Sequence, residues 1–246
     1  MIFCNIDFNI FNKFALFKRM DSETKCITTV NAQIIVLANT DKRYMDYINS
    51  NYATFDGEIP LKEAKKFSKE FSTAEKLPGS EIVYDFCEYA KRNNLRVFFL
   101  GGYENSNKLA VEKIHMEYGI EIEGFSPKYE TYPFSKKFVD SCLERIEAFR
   151  PDIIFVGFGA PKQEYFIEDN IQFFKKIGVK YLIGSGGTFE FVSGRIKRAP
   201  VWISKIGLES FYRFFKEISF VRLKRIIYSF RFFKYIKHKP DWSYEK

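Results

Sequence analysis

The chain has 246 residues, 46% of them hydrophobic and 28% charged, which suits one large domain, or one domain with a smaller appendage, and excludes a disordered polymer. Four scattered cysteines, Cys4, Cys26, Cys87 and Cys142, form no CxxC pair, so they read as reduced thiols and exclude a disulfide framework. The net charge of +8 is concentrated: Arg195 to Lys246 holds 14 Lys and Arg against 4 Asp and Glu, leaving 25 against 27 before it. A nearly neutral body with a basic tail points to an anionic partner, namely nucleic acid, a phosphorylated substrate or a membrane surface.

In chain order, the apolar N-terminus reads as a first strand or short helix. It lacks a basic n-region and carries Asp7 and Lys13, which makes it a poor signal peptide. No run of about twenty uncharged apolar residues occurs, so no spanning helix is expected. Residues 27–38 begin strand-like and then turn helical, with Asn31 as the N-cap of an apolar helix reaching about Asn49. Asp56-Gly57 follows a short strand, and residues 61–74 form a charged helix. Residues 95–118 read as strand, Gly-Gly turn and helix, and 120–127 as a short strand with a turn. Residues 135–149 carry helical spacing. Residues 151–170 are strand, glycine turn and helix, with Pro161 in the first helical turn, and 179–194 repeat that order. From Trp202 to about Lys239 the pattern is helical only, with Ser219 as a hinge.

This alternation predicts an α/β fold, a Rossmann-like and mostly parallel sheet flanked by helices, with ligands at the carboxyl ends of its strands. The expected division is a catalytic domain over 1–195 and a basic, aromatic-rich helical appendage over 196–246.

Three glycine turns carry the most suggestive local chemistry: Gly101-Gly102, Gly157 to Gly159, and Gly184 to Gly187. Glycine lets a backbone approach a ligand closely, and helix N-terminal amides favour anions. Each turn taken alone is also ordinary strand-to-helix chemistry. Residues 157–162, G-F-G-A-P-K, lack the third glycine of a dinucleotide fingerprint. Asp56 reads either as a general base or as a plain turn former, and spacing alone favours the turn. Thr29 and Asn31 could hydrogen-bond a sugar or cap the next helix.

The only histidines are His115 and His238, which argues against a His-based triad or a zinc site. No Asp-x-Asp occurs, so a diphosphate would fall to Arg and Lys rather than to a chelated metal. The tail offers Arg195, Arg213, Arg222 and Arg225 among many aromatics. Such a mixture suits an anionic bilayer, single-stranded nucleic acid, or simple packing of the aromatics on the body.

The motifs TTVNAQIIV, FDGE, FFLGG, IIFVGFGAPKQEYFI and IGSGGTFEFVSGRIKRAPVWISKIGLESFYRFFKE together resemble the WecG/TagA/CpsF family, glycosyltransferase family 26, over about residues 27 to 230. The resemblance implies an inverting, metal-independent transferase with no cofactor. It would move a sugar from a UDP-sugar to a polyprenyl-pyrophosphate-linked sugar in cell-surface polysaccharide synthesis. The implied location is peripheral, on the cytoplasmic face of the plasma membrane, with an anionic membrane surface and no nucleic acid as partner. Self-association into a homo-oligomer is compatible with it.

By resemblance the base falls on Asp56. Substrate contacts fall on Thr29, Asn31, Lys76, Gly101, Gly102, Gly159, Gln163, Gly186 and Gly187. Arg213, Arg222 and Arg225 would meet the diphosphate. The chain departs from the family pattern at Val30, Phe55, Lys76 and Glu81, and Lys cannot offer the planar grip of Arg. The donor sugar is therefore N-acetylmannosamine-type, its uronate, or another hexose. The rival classes are a Rossmann-type nucleotide-cofactor enzyme and a nucleic-acid-binding module built on the tail.

Overall fold

Parallel strands buried on both faces read as continuous apolar runs and need helices on either side. The computed structural model describes residues 1–18, 23–197, 200, 212 and 220–244. Its main sheet uses β3 (Lys25–Val30), β4 (Tyr52–Phe55), β5 (Val97–Gly101), β6 (Ile122–Phe125), β7 (Ile153–Gly157) and β8 (Tyr181–Gly184). The strand order is β4-β3-β8-β7-β5-β6. β5 pairs in parallel with β6 and with β7, and β7 in parallel with β8. This is the Rossmann-like α/β arrangement that the alternation predicts.

By contacts the chain divides into two compact units. The first takes residues 1–18, 28–78 and 198–246, and the second takes residues 19–27 and 79–197.

The first unit opens with a two-stranded hairpin, β1 (Ile2–Phe3) and β2 (Ile6–Asp7). Its two-residue turn puts Cys4 and Asn5 at φ 51° and 67°, the left-handed pair that such a turn requires. A short helix, α1 (Lys13–Phe17), follows with Asn12 as its cap, so the N-terminus holds both strand and helix. The helix expected to run to Asn49 is broken. α2 (Ala32–Thr40) stops, Asp41 is extended at φ −136°, and its side chain accepts from Tyr44 N at 3.1 Å to cap α3 (Lys42–Asn49). An Asp competes for backbone N–H groups and is better placed at a cap than inside a helix. α4 (Glu58–Phe67) starts earlier and ends earlier than the charged pattern suggests. Phe3, Phe8, Phe55 and Phe71 form the aromatic core of this unit, with Phe8 and Phe55 stacked at 3.8 Å.

The described C-terminal helices, α11 (Phe220–Ser229) and α12 (Phe232–Tyr235), also belong to the first unit and pack against α2. Ile226, Phe232 and Tyr235 are buried there, while Ile227, Phe230 and Phe233 face outward. Trp242 Nε1 donates to Ala38 O at 3.4 Å, and Asn5 Nδ2 donates to His238 O at 3.0 Å. The tail's aromatics are thus divided between packing and exposure. Ser219 lies outside the described residues, as does most of 202–219.

The second unit stacks β5, β7 and β8 between α5 (Gly79–Asn93), α6 (Glu104–Tyr118), α7 (Lys136–Phe149), α8 (Lys162–Asp169), α9 (Ile171–Lys176) and α10 (Thr188–Val192). α5 fills a stretch between predicted elements. Its buried residues Ile82, Val83, Phe86, Cys87 and Ala90 recur at three- and four-residue steps. Phe86 meets Phe155 and Tyr181 edge-on. Lys25, buried at the start of β3, has its ammonium pushed down to about 8 by burial, with Glu23 opposing.

On α6, Asn107 is buried and donates to Phe99 O at 2.9 Å and Gly101 O at 2.8 Å. It thereby fastens the helix to the end of β5. Replacing it by Leu should leave both carbonyls without that donor and lower the unfolding free energy by about 1–3 kcal/mol, read from urea denaturation.

All four cysteines are buried. Burial pushes the Cys4 and Cys142 thiols up to about 12 and raises Cys87 as well. Because the unfolded thiol titrates near 9.0, the stability these groups contribute is full below that pH and is lost as pH rises past it. Thiol reagents at neutral pH should label Cys4, Cys87 and Cys142 only after denaturation. Rapid labelling of the folded protein at any of the three would contradict their burial.

Candidate active site

In the first unit, three chain segments meet where β4 ends. β3 ends at Val30 and Asn31 caps α2, its Oδ1 accepting from Ile34 N at 3.1 Å. Its other amide atom, Nδ2, lies 3.5 Å from Asp56 Oδ2. Asp56 N donates to Val30 O at 2.9 Å, which fixes the residue directly beyond β4. Phe55 pairs with Lys76 in a parallel bridge, and Leu77 N donates to Phe55 O at 2.6 Å. Asn31, Asp56 and Lys76 are thus brought to one strand end, while Thr29, one step back on β3, is buried.

Asp56 is half-buried, and Gly57 is not a left-handed turn residue: its φ is −108° and it caps α4. A Cβ there would lie 3.1 Å from Pro60 Cδ, so close packing against Pro60 accounts for this glycine. The plain turn-former reading of Asp-Gly does not describe this geometry.

In the second unit, the glycine turns after β5, β7 and β8 interlock. Gly101, Gly102, Gly159 and Gly186 have φ of 94°, 71°, 80° and 50°. The Phe189 ring fills the space beside Gly102 and Gly157; a Cβ at either would come within 2.8 Å of it. Gln163 is buried on α8. Its Oε1 accepts from Gly159 N at 3.0 Å and from Gly186 N at 3.1 Å. Its Nε2 donates to Glu164 Oε1 at 2.8 Å, and Glu164 is fully buried. Pro161 sits one position earlier than expected, at the N-cap of α8, after a cis peptide.

Gly187 is exposed and caps α10. A Cβ on it would lie 3.3 Å from Glu190 Oε2, a buried oxygen with no hydrogen-bond partner among the described residues. Arg195 lays its guanidinium 5.4 Å from the Tyr103 ring. Sequence reasoning passed over Glu164, Glu190 and Asn107. The signal for Glu164 was an acid placed directly after Gln163 at the start of a helix whose next residues are apolar.

The model of the glycosyl transferase WecG/TagA/CpsF family matches residues 5–239. The chain belongs to that family. It is a glycosyltransferase of cell-envelope polysaccharide synthesis. The match begins at residue 5, so it takes in most of the N-terminal segment that the resemblance over 27–230 left out.

Among its relatives, an N-acetylglucosaminyldiphosphoundecaprenol N-acetyl-beta-D-mannosaminyltransferase of Bacillus subtilis (strain 168) is 32% identical over 189 residues. That alignment covers 76% of this chain and 70% of the relative. A protein of the same description from Staphylococcus aureus (strain MRSA252) is 29% identical over 204 residues, covering 80% and 74%.

Of the glycosyltransferase's expected diphosphate-binding arginines, Arg225 is exposed on α11. Arg222 lies in the same helix, its side chain outside what is described, and Arg213 lies outside the described residues. Among the described residues no helix is long and apolar enough to cross a membrane.

The transferase's second unit also leaves no room at Gly184, where a Cβ would lie 2.6 Å from Glu164 Oε1 and 2.8 Å from Gln163 Nε2. Gly184→Ala should therefore destabilise the protein by about 1–3 kcal/mol, measured by thermal or urea unfolding. An unchanged midpoint would show that the buried pair has slack.

Proposed function

We propose that the chain transfers an N-acetylmannosamine-type sugar from a UDP-sugar to an N-acetylglucosaminyl-diphospho-polyprenol, with inversion and without a divalent metal. The relatives' described reaction supports the acceptor and the sugar class. The absence of any Asp-x-Asp in the sequence supports charge neutralisation by cationic side chains. The observation that carries the reading is Asp56 beside Asn31 at the end of β4.

An acceptor hydroxyl is a weak nucleophile until a base takes its proton in the transition state. In this proposal the Asp56 carboxylate receives that proton as the oxygen attacks the anomeric carbon from the face opposite the departing UDP. Asn31 approaches Oδ2 of that carboxylate through Nδ2 and helps to orient it. The bond to UDP breaks as the new glycosidic bond forms, and negative charge grows on the diphosphate. Stabilising that change more than the ground state raises the rate. Arg213, Arg222 and Arg225 are proposed for this task, with Lys76 near the base. Gly101, Gly102, Gly159, Gly186 and Gly187 are assigned to the donor by resemblance only. Thr29 is assigned to the sugar end by resemblance only.

A lipid-linked acceptor requires the enzyme to work at a bilayer. The basic stretch from Arg195 to Lys246, with Ile227, Phe230 and Phe233 exposed, suits the anionic cytoplasmic surface of the plasma membrane.

Asp56→Asn should fold normally and lose transfer by about a hundredfold or more, assayed with a panel of UDP-sugars and a synthetic polyprenyl-diphosphate acceptor. Near-normal turnover would reject Asp56 as the base. Asn31→Ser separates two roles of one side chain. Serine keeps a good helix cap, so stability should stay within about 0.5 kcal/mol. It cannot reproduce the Nδ2 contact, so transfer should fall while UDP affinity holds. Equal losses in stability and in transfer would mean that Asn31 only caps.

A further inference from the structure

The turns that follow β7 and β8 are joined from the inside by a single side chain. Gln163 Oε1 accepts from both Gly159 N and Gly186 N, at 3.0 and 3.1 Å, and Nε2 donates to Glu164 Oε1 at 2.8 Å. We infer that Gln163 and Glu164 form a positioning pair that locks the two glycine turns into one shape, with Gln163 not itself touching the substrate. This rests on the reading above, in which the donor lies against those turns, and it names what holds them.

The chemistry admits one orientation of the Gln163 amide. Backbone N–H groups only donate, so the atom facing Gly159 and Gly186 must be the oxygen. A carboxylate oxygen accepts, so the atom facing Glu164 must be the NH2. Both ends of the amide are specified by fixed neighbours, and the side chain is 3% exposed. A buried amide bonded at both ends is rigid because releasing either end strands a polar group. The third member is Gly184, whose missing Cβ makes room for both Glu164 Oε1 and Gln163 Nε2.

The outer side of the two turns is different. Gly159 and Gly186 have positive φ, and a Cβ on either would meet nothing within 4 Å among the described residues. Their N–H groups are committed inward to Gln163, while their Cα faces stand open. That arrangement fits a nucleotide approaching the bare backbone, with its phosphate charge met by cationic side chains instead of by these two amides. Specificity of shape, set by the pair underneath, is then separate from charge neutralisation.

The test is NMR of the uniformly 15N-labelled full chain, reading the Gly159 and Gly186 amides with and without UDP. In the wild type both amide protons should exchange slowly. Gln163→Met should move both signals together and speed their exchange about tenfold, and it should weaken UDP binding about tenfold or more. Glu164→Gln, which keeps an oxygen to accept from Nε2, should retain both amide signatures, whereas Glu164→Met should perturb both. If Gln163→Met does not fold, Glu164→Met is read at the same two amides.

A folded Gln163→Met protein in which one or neither amide responds overturns the pair. Amides that move with no change in UDP affinity overturn its positioning role. A wild type that shows the protected amides but does not bind UDP instead removes the donor reading and leaves the pair standing.

Discussion

Asn31 ties the fold of the first unit to the carboxylate proposed as the base. One amide atom closes the N-terminus of α2 through Ile34, and the other reaches Asp56 at the end of the neighbouring strand. Because α2 also carries the described C-terminal helices, the cap that starts this helix sets both the support of the tail and the neighbour of the carboxylate. Only a short side chain with an acceptor and a donor can do both. Aspartate would cap equally well but would set a second negative charge beside Asp56.

The second unit solves a different problem, that of holding glycine-rich backbone still. Glycine turns let a ligand approach closely but are entropically loose. Here Asn107 fastens the end of β5, the Phe189 ring fills the gap beside Gly102 and Gly157, and Gln163 binds the turns after β7 and β8 to each other. The helices that follow these turns lend side chains back to them. A preorganised surface loses little on binding and leaves more of the binding energy for the transition state.

The sequence made the strand-turn-helix alternation plain because β5, β7 and β8 are apolar runs that end in glycine. Asn31 was legible as a cap for the same local reason. The break at Asp41 was hidden because apolar spacing continues through it, and only the competition of Asp for backbone N–H groups decides the matter. The contact between Asn31 and Asp56 spans 25 residues, and the bridge from Phe55 to Lys76 spans a helix. Neither has a local signature, so Asp56 by spacing alone looked like an ordinary turn residue. Gln163 was singled out by resemblance alone, and Glu164 carried no reading of its own. Their burial follows from the close approach of the β8 turn at Gly184, which no pattern within 162–169 records. The tail's charge was countable, whereas the split of its aromatics between Phe232 and Tyr235 inside and Phe230 and Phe233 outside required the packing against α2.

A lone carboxylate acting as base on the acceptor implies one displacement at the anomeric carbon, with no glycosyl-enzyme stage. The configuration of the transferred sugar, read by NMR of the product made from a UDP-sugar of defined anomer, tests this most directly. The account predicts that the new linkage has the opposite configuration to the donor. A product that keeps the donor's configuration would require a covalent intermediate or a front-face attack, and the role given to Asp56 would then be wrong.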